Sequence, residues 1–268
     1  MRPAHCPVTA ARELCAGVFS LWLDAPRIAR QIHPGQFLNV KVSSGVDPLL
    51  RRPISVCDVE RSRVRLVFRV VGRGTALLSR VRAGDDLDVL GPLGRPAPKM
   101  RGKDVLVCGG GIGTAPMLFL ARRLVPMNRV QVLLGARSKN ELLLVREFRA
   151  LGVPVKIATD DGSAGYRGTV TELAAEQVKG QMSKVKGQDG GGRLAVSGER
   201  FTVFACGPKP MLADLVKRLD PIPVWGFVEE RMGCGTGICY CCALPKKGGG
   251  HVRFCEDGPV VRLNEVVL

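Results

Sequence analysis

Five of the ten cysteines fall between Cys234 and Cys255, in the run Glu229-Glu230-Arg231-Met232-Gly233-Cys234-Gly235-Thr236-Gly237-Ile238-Cys239-Tyr240-Cys241-Cys242 followed by Cys255. The spacing is Cys-x4-Cys-x2-Cys with a fourth cysteine 13 positions later, the plant-type arrangement for a 2Fe-2S cluster. Four thiolates around a small inorganic core concentrate negative charge, so backbone N–H groups must turn inward to offset it. Gly233, Gly235 and Gly237 are expected to supply the φ > 0 turns that this needs. Zinc also takes four cysteines, but its short paired spacing matches less well, and a disulfide knot requires an oxidising compartment. Cys241 competes with Cys242 for one place, and the x2 spacing favours Cys242. The expected metal ligands are therefore Cys234, Cys239, Cys242 and Cys255. Cys6, Cys15, Cys57, Cys108 and Cys206 are scattered and read as small buried hydrophobes.

Three other runs suit anions. Gly109, Gly110, Gly111, Gly113 and Thr114 lie between an apolar strand and a helix, where backbone can approach a phosphate and the helix N-terminus adds N–H groups and dipole. The dinucleotide fingerprint is incomplete, because Thr114 or Pro116 stands where its last glycine belongs. Cys206, Gly207 and Pro208 form a second strand–turn–helix junction, and two such strand ends on one sheet edge define a ligand crevice. In Arg51-Arg52-Pro53-Ile54-Ser55-Val56, Arg52 can give a forked guanidinium to a diphosphate and Ser55 a hydroxyl to a ring edge. Arg69-Val70-Val71-Gly72-Arg73-Gly74-Thr75 then places glycines and the expected N-cap, Thr75, before a helix.

The elements that must position these residues change character near residue 101. Before it, strands at Val18–Leu23, Gln36–Val42, Ile54–Val59 and Val64–Val71 are punctuated by Gly and Pro, with one helix at Thr75–Val81; this predicts an antiparallel β-barrel. After it, strands at Asp104–Cys108, Val130–Leu134, Val155–Thr159 and Thr202–Ala205 alternate with helices at Ala115–Leu124, Lys139–Leu151, Val170–Val178 and Lys209–Leu219. That alternation predicts an α/β domain on a parallel sheet. Residues 1–100, 101–222 and 223–268 are the expected barrel, nucleotide-binding and cluster segments. Gly180–Arg200 reads as a polar, Gly-rich surface loop.

Length and composition agree. The chain has 268 residues, 46% apolar and 24% charged, enough for two cores. Its +16 charge invites a nucleic-acid reading, but +8 lies in residues 1–100 and +8 in the rest, with only 5% aromatic residues; neither a basic arm nor a stacking platform stands out. No apolar run approaches the ~20 residues of a membrane helix, and no secretory leader is evident. The expectation is a cytoplasmic protein that binds neither nucleic acid nor membrane.

Taken together, these residues resemble the ferredoxin-reductase superfamily: Arg-Pro-x-Ser and Gly-x-Gly-Thr mark its flavin barrel, Gly-Gly-Gly-x-Gly-x-x-Pro and Cys-Gly-Pro-x-Pro-Met its pyridine-nucleotide domain. Within it, Glu-Glu-Arg-Met-Gly-Cys-Gly-x-Gly-x-Cys-Tyr-x-Cys and Cys-x-Asp-Gly-Pro-Val resemble the electron-transfer subunits of NAD-dependent dihydroorotate dehydrogenase. Cys241, Thr236 and the Gly187 region depart from that pattern. The resemblance implies FAD held by Arg52, Pro53, Ile54, Ser55, Val67, Phe68, Arg69, Gly74 and Thr75, and NAD at Gly109–Thr114 and Cys206–Pro208. It also implies ligation of the cluster by the four cysteines named above. It further implies a partner, an FMN-containing dihydroorotate dehydrogenase catalytic subunit, in a heterotetramer of two plus two serving pyrimidine synthesis.

The division of labour follows from cofactor chemistry. A 2Fe-2S cluster moves single electrons, a nicotinamide accepts hydride, and a flavin does both, so the flavin is the expected converter and no protein acid or base is expected at the hydride step. Two alternatives stand beside this reading. One is a related subunit of a ferredoxin:NADP oxidoreductase or sulfide dehydrogenase, for which basic Arg137 and Lys139 could meet a 2'-phosphate; NAD against NADP stays open. The other is a zinc-stabilised scaffold without redox chemistry.

Overall fold

A computed structural model describes residues 3–186 and 201–268. Part of the expected Gly-rich loop, 187–200, lies outside the described residues, while its beginning belongs to a helix.

The first half is a closed antiparallel barrel. Its elements are β1 (Ala4–Cys15), β2 (Val18–Asp24), helix α1 (Pro26–Gln31), β3 (Phe37–Val40), β4 (Arg52–Glu60), β5 (Arg63–Arg69), helix α2 (Arg73–Leu78) and β6 (Asp86–Leu93). The strands close in the order β1-β2-β5-β4-β3-β6. Leu21, Leu23, Leu38, Val40, Val64, Leu66 and Val89 are buried inside, as alternation on pleated strands requires. The sequence reading missed β1, α1 and β6. β1 carries small and charged residues of which only Cys6 and Val8 are buried, and its pairing with β2 is interrupted by two irregularities, which erase the period-2 signal. Helix α2 also starts earlier than expected. Thr75 is its third residue rather than its cap, and its Oγ1 accepts the N–H groups of Val71 and Gly72 at 2.9 and 3.2 Å, half of a capping box.

The second half is a seven-stranded sheet formed by β7 (Asp104–Gly110), β8 (Arg129–Ala136), β9 (Val155–Thr159), β10 (Tyr166–Arg167), β11 (Phe201–Cys206), β12 (Val224–Phe227) and, after the β13 (Ala243–Pro245) and β14 (His251–Arg253) hairpin, β15 (Val260–Arg262). Helices α3 (Thr114–Leu124), α4 (Val145–Arg149), α5 (Val170–Lys186) and α6 (Lys209–Leu219) cover it. Its order is β10-β9-β8-β7-β11-β12-β15, parallel except for β15. Alternate residues face opposite layers: Leu106 and Cys108 pack with Leu212 and Leu215, whereas Val105 and Val107 pack with Met117, Leu118 and Phe148. The expected helix over Lys139–Leu151 is broken, because Leu144 takes a left-handed φ of 59° and brings Leu143 and Leu144 into the core. Helix α5 runs past Val178 to Lys186.

Hydrogen bonding crosses the expected boundary at 222/223. β12 is parallel to β11 and β15 antiparallel to β12, so the last 46 residues complete the sheet. Cys242, Phe254, Cys255 and Leu263 share a core with α6. The barrel and sheet are also joined closely. Phe119 of α3 is buried in the barrel's core, Arg122 of α3 makes a fork to Asp58 of β4 at 2.8 and 3.0 Å, and buried Arg65 reaches Glu147 at 3.3 Å. Among the described residues no helix is long and apolar enough to cross a membrane.

Candidate functional site

One cleft lies between barrel and sheet. Arg52, Pro53, Ile54 and Ser55 of β4, Val67, Phe68 and Arg69 of β5, and Thr75 of α2 all line it. Eight of the nine flavin residues expected from the sequence thus share one wall. The ninth, Gly74, lies behind it, where a Cβ would collide with the Arg52 guanidinium.

The adjacent arginines divide their work. Arg51 pairs with Asp88 of β6 at 2.8 Å and braces the barrel. Arg52 donates to the Leu50 carbonyl and, among the described residues, has no carboxylate partner. An un-neutralised guanidinium on a cleft wall suits an anionic diphosphate.

The opposite wall comes from the nucleotide turn, through Ile112, Ala115 and Pro116. The residues expected there split into two groups. Gly111 and Gly207 are half-exposed and Pro208 is exposed at the turns, while Gly109, Gly110, Gly113, Thr114 and Cys206 are buried beneath. The buried ones shape the site. A Cβ on Gly113 would meet the Cys206 carbonyl and stand 2.6 Å from Gly207 N, so the two βα turns touch and open together. This is the juxtaposition of strand ends at which open α/β sheets bind ligands.

The sequence reading missed the cleft's floor: Phe37, Val71, Val228, Glu229, Glu230, Met232 and Pro259. Residues 228–232 lead from β12 to Cys234, the first of the expected ligands, so the cleft and the cysteine loop share a segment. Glu229 lines the cleft and keeps contact with solvent, and desolvation by the surrounding protein raises its carboxyl above the usual glutamate range. Glu230 pairs with Lys209 at the start of α6. The run Glu229-Glu230 was visible in sequence, but its place on the floor depends on β12 pairing with β11.

The cysteine loop is shaped by N–H···S hydrogen bonds. Thr236 and Cys239 N–H groups donate to Cys234 Sγ at 3.4 Å, and Cys234 N–H to Cys239 Sγ at 3.4 Å. Gly237 N–H reaches Cys255 Sγ at 3.1 Å, and Cys255 N–H reaches Cys242 Sγ at 3.4 Å. Each expected ligand sulfur therefore accepts at least one amide. Cys242 and Cys255 are buried, while Cys239 and Cys241 are exposed. Gly235 and Gly237 have φ of 73° and 83°, as expected. Gly233 differs: it has no positive φ, and its value is space, since a Cβ there would stand 3.2 Å from Cys239 Sγ. Tyr240 takes the third left-handed position, at φ 56°.

Burial opposes ionisation of Cys234, but the amides of Thr236 and Cys239 outweigh it and pull the thiol down to about 6. Burial pushes Cys255 up to about 12, assisted by the Cys242 thiol and opposed by the Gly237 amide. No two of the ten cysteines are joined by a disulfide. Among the described residues, no group of three or more His, Cys, Asp or Glu side chains is gathered as a ready-made site for one metal ion. What the loop does hold is inward-turned amides on four thiols, a donor set suited to a sulfur-rich anionic group.

The loop is tied to the barrel as well. Buried Asn39 of β3, opposite Pro53 on β4, donates from Nδ2 to the Cys234 carbonyl at 3.4 Å.

Comparison with known proteins agrees with this geometry. Residues 229–267 match the model of the iron-sulfur cluster binding domain of dihydroorotate dehydrogenase B. The chain is 38% identical over 269 residues to the dihydroorotate dehydrogenase B (NAD(+)) electron transfer subunit of Bacillus caldolyticus, covering 97% of both proteins. It is 39% identical over 272 residues to that of Desulforamulus reducens, covering 97% of this chain and 96% of the relative. Among solved structures, an NADH-dependent reduced ferredoxin-NADP oxidoreductase superposes with a TM-score of 0.82 at 30% identity, over 98% of this chain and 90% of that one. Phthalate dioxygenase reductase shares the fold, with a TM-score of 0.63 at 17% identity over 99% and 98% of the two chains. With a β-barrel and a nucleotide-type sheet meeting at one cleft and a cysteine loop at its floor, the chain belongs to the family of dihydroorotate dehydrogenase B electron transfer subunits.

Proposed function

We propose that this chain carries electrons from a dihydroorotate-oxidising catalytic subunit to NAD, using a 2Fe-2S cluster and FAD. When bound, the cluster exchanges single electrons, the nicotinamide exchanges hydride, and the flavin can do both. The observation that carries the reading is the set of backbone amides aimed at Cys234, Cys239, Cys242 and Cys255, on a loop whose leading residues floor the cleft.

In this reading the four cysteines hold the cluster. Arg52 meets the flavin diphosphate, and Pro53, Ile54, Ser55, Val67, Phe68, Arg69, Gly74 and Thr75 form the flavin's wall. The Gly109–Thr114 and Cys206–Pro208 turns receive NAD. The protein's own work is placement: Gly113 lets the turns close on each other, Asn39 holds the cysteine loop to the flavin strand pair, and the Asp58–Arg122 fork fixes barrel to sheet. The partner in this proposal is an FMN-containing catalytic subunit, two copies with two of this chain, in the cytoplasm.

The test is co-expression with a dihydroorotate dehydrogenase catalytic subunit, then visible spectroscopy and an assay of dihydroorotate-dependent NAD reduction. Flavin and iron–sulfur bands with NAD reduction are expected. A complex that reduces the nucleotide only from another donor refutes the assignment. One observation favours a second reading, service to a ferredoxin:NADP oxidoreductase: Arg137 and Lys139, both exposed, lie within three residues of the end of β8. Preference for NADPH over NADH in the same assay would select it.

A further inference from the structure

Gly237 donates the amide that reaches Cys255 Sγ at 3.1 Å, and a pair of opposite charges is laid against it. Arg253 Nη1 donates to the Gly237 carbonyl at 3.0 Å. The Glu256 carboxylate occupies the space where a Cβ on Gly237 would stand, and the two side chains pair at 2.7 Å. Arg253 is held further by Asp257, whose Oδ2 accepts both its backbone N–H at 3.0 Å and its Nε at 3.4 Å. Its guanidinium also lies over the Tyr240 ring, 5.3 Å from the centroid. One side chain thus joins the turn carrying Cys255 to both the Gly235–Gly237 stretch and the left-handed Tyr240 between Cys239 and Cys241. Nothing in metal ligation requires this arginine. At 27% and 47% exposed the two side chains are no more buried than other ion pairs of this surface; what sets them apart is that Arg253 shares its donors with the Gly237 carbonyl and that Glu256 fills the space beside the same residue.

A cluster gains a negative charge on reduction, and its potential depends on nearby charge and on hydrogen bonds to its sulfurs. A guanidinium at Gly237 favours the reduced form, and a carboxylate at the same residue opposes it. We infer that the Arg253–Glu256 pair sets the reduction potential of the cluster, with Arg253 as the positioning residue that keeps the Gly237 amide on Cys255. This rests on the cluster reading above.

The test uses the full chain, purified anaerobically with its cofactors, as wild type, Arg253→Gln, Arg253→Lys and Glu256→Gln. Iron content is measured first, then an EPR-monitored redox titration. At the wild-type midpoint, Arg253→Gln is expected to show a reduced-to-oxidised ratio about tenfold lower, equivalent to about 59 mV for one electron. Glu256→Gln is expected to move the ratio in the opposite direction, and Arg253→Lys to stay nearer wild type because it keeps the charge. A purely structural role would not give shifts of opposite sign. If wild type binds iron and all variants titrate within twofold of it, the inference fails while the cluster reading stands. If wild type binds no iron at these cysteines, the cluster reading itself fails and the inference falls with it. Should Arg253→Gln fail to retain iron, the direction of the Glu256→Gln shift decides.

Discussion

The fork between Arg122 and Asp58 couples the strand that carries Arg52–Ser55 to the helix that begins at the nucleotide turn, and its two ends sit in different surroundings. Asp58 is 2% exposed on its side chain and Arg122 42%. Removing the arginine, as in Arg122→Met, leaves a buried carboxylate whose remaining partner is the Val59 N–H at 2.9 Å. Breaking a fully buried pair costs about 3–5 kcal/mol. Half-exposure of the arginine lets water screen the pair, so about 2–3 kcal/mol is expected here. Asp58→Asn keeps an acceptor for Val59 and frees Arg122 to turn into solvent, so about 1 kcal/mol is expected. For a chain this long, each kcal/mol moves the melting temperature by about 2–4 °C, so Arg122→Met should melt about 4–12 °C lower and Asp58→Asn only about 2–4 °C lower. The assay is thermal melting of the flavin-loaded chain, with KM for NADH measured alongside; a larger rise in KM for Arg122→Met is expected as barrel and sheet lose register. Equal costs for the two variants, or a neutral Arg122→Met, would refute the reasoning.

Gly113→Ala should lose about 1–3 kcal/mol by overpacking against the Cys206 carbonyl and weaken NADH binding more than flavin binding, as equilibrium titration of each would show. Cys241→Ser should retain full iron content and Cys242→Ser should lose it, because the Cys242 sulfur is buried and accepts an amide; iron analysis with visible spectra separates them. Asp214 of α6 accepts from Thr171 of α5 and from Arg218 one turn along its own helix. Burial opposes its ionisation, but these two hydrogen bonds and the Arg218 charge prevail and depress its pKa. A folded pKa below the unfolded value stabilises above the unfolded value, and the gain disappears as pH falls through the folded one. Acid melting of wild type should therefore steepen below the ordinary aspartate range, and Asp214→Asn should flatten that step. Cys57 and Cys108, both pushed up to about 12 by burial, should resist iodoacetamide at neutral pH while exposed Cys241 reacts, read by mass spectrometry.

The amino-acid sequence by itself determined what short-range geometry can encode. Cysteines at x4 and x2 spacing share one loop whatever the rest of the chain does. Glycines between an apolar strand and a helix make a phosphate-type turn, and strong periodicity places elements closely: β9 and α6 have the bounds read from the sequence. Tertiary structure decided everything that depends on residues distant in the chain. Asn39 meets Cys234 across 195 positions, Asp58 meets Arg122 across 64, and β12 and β15 fasten the cysteine segment to the sheet edge and bring Glu229 to the cleft floor. The irregular β1, with only Cys6 and Val8 buried, closes the barrel because β2 and β6 offer it free edges. Such contacts leave no local signature, since a side chain's partner is chosen by the packing of strands and helices around it, and Arg253, two positions before Cys255, could as well have faced water.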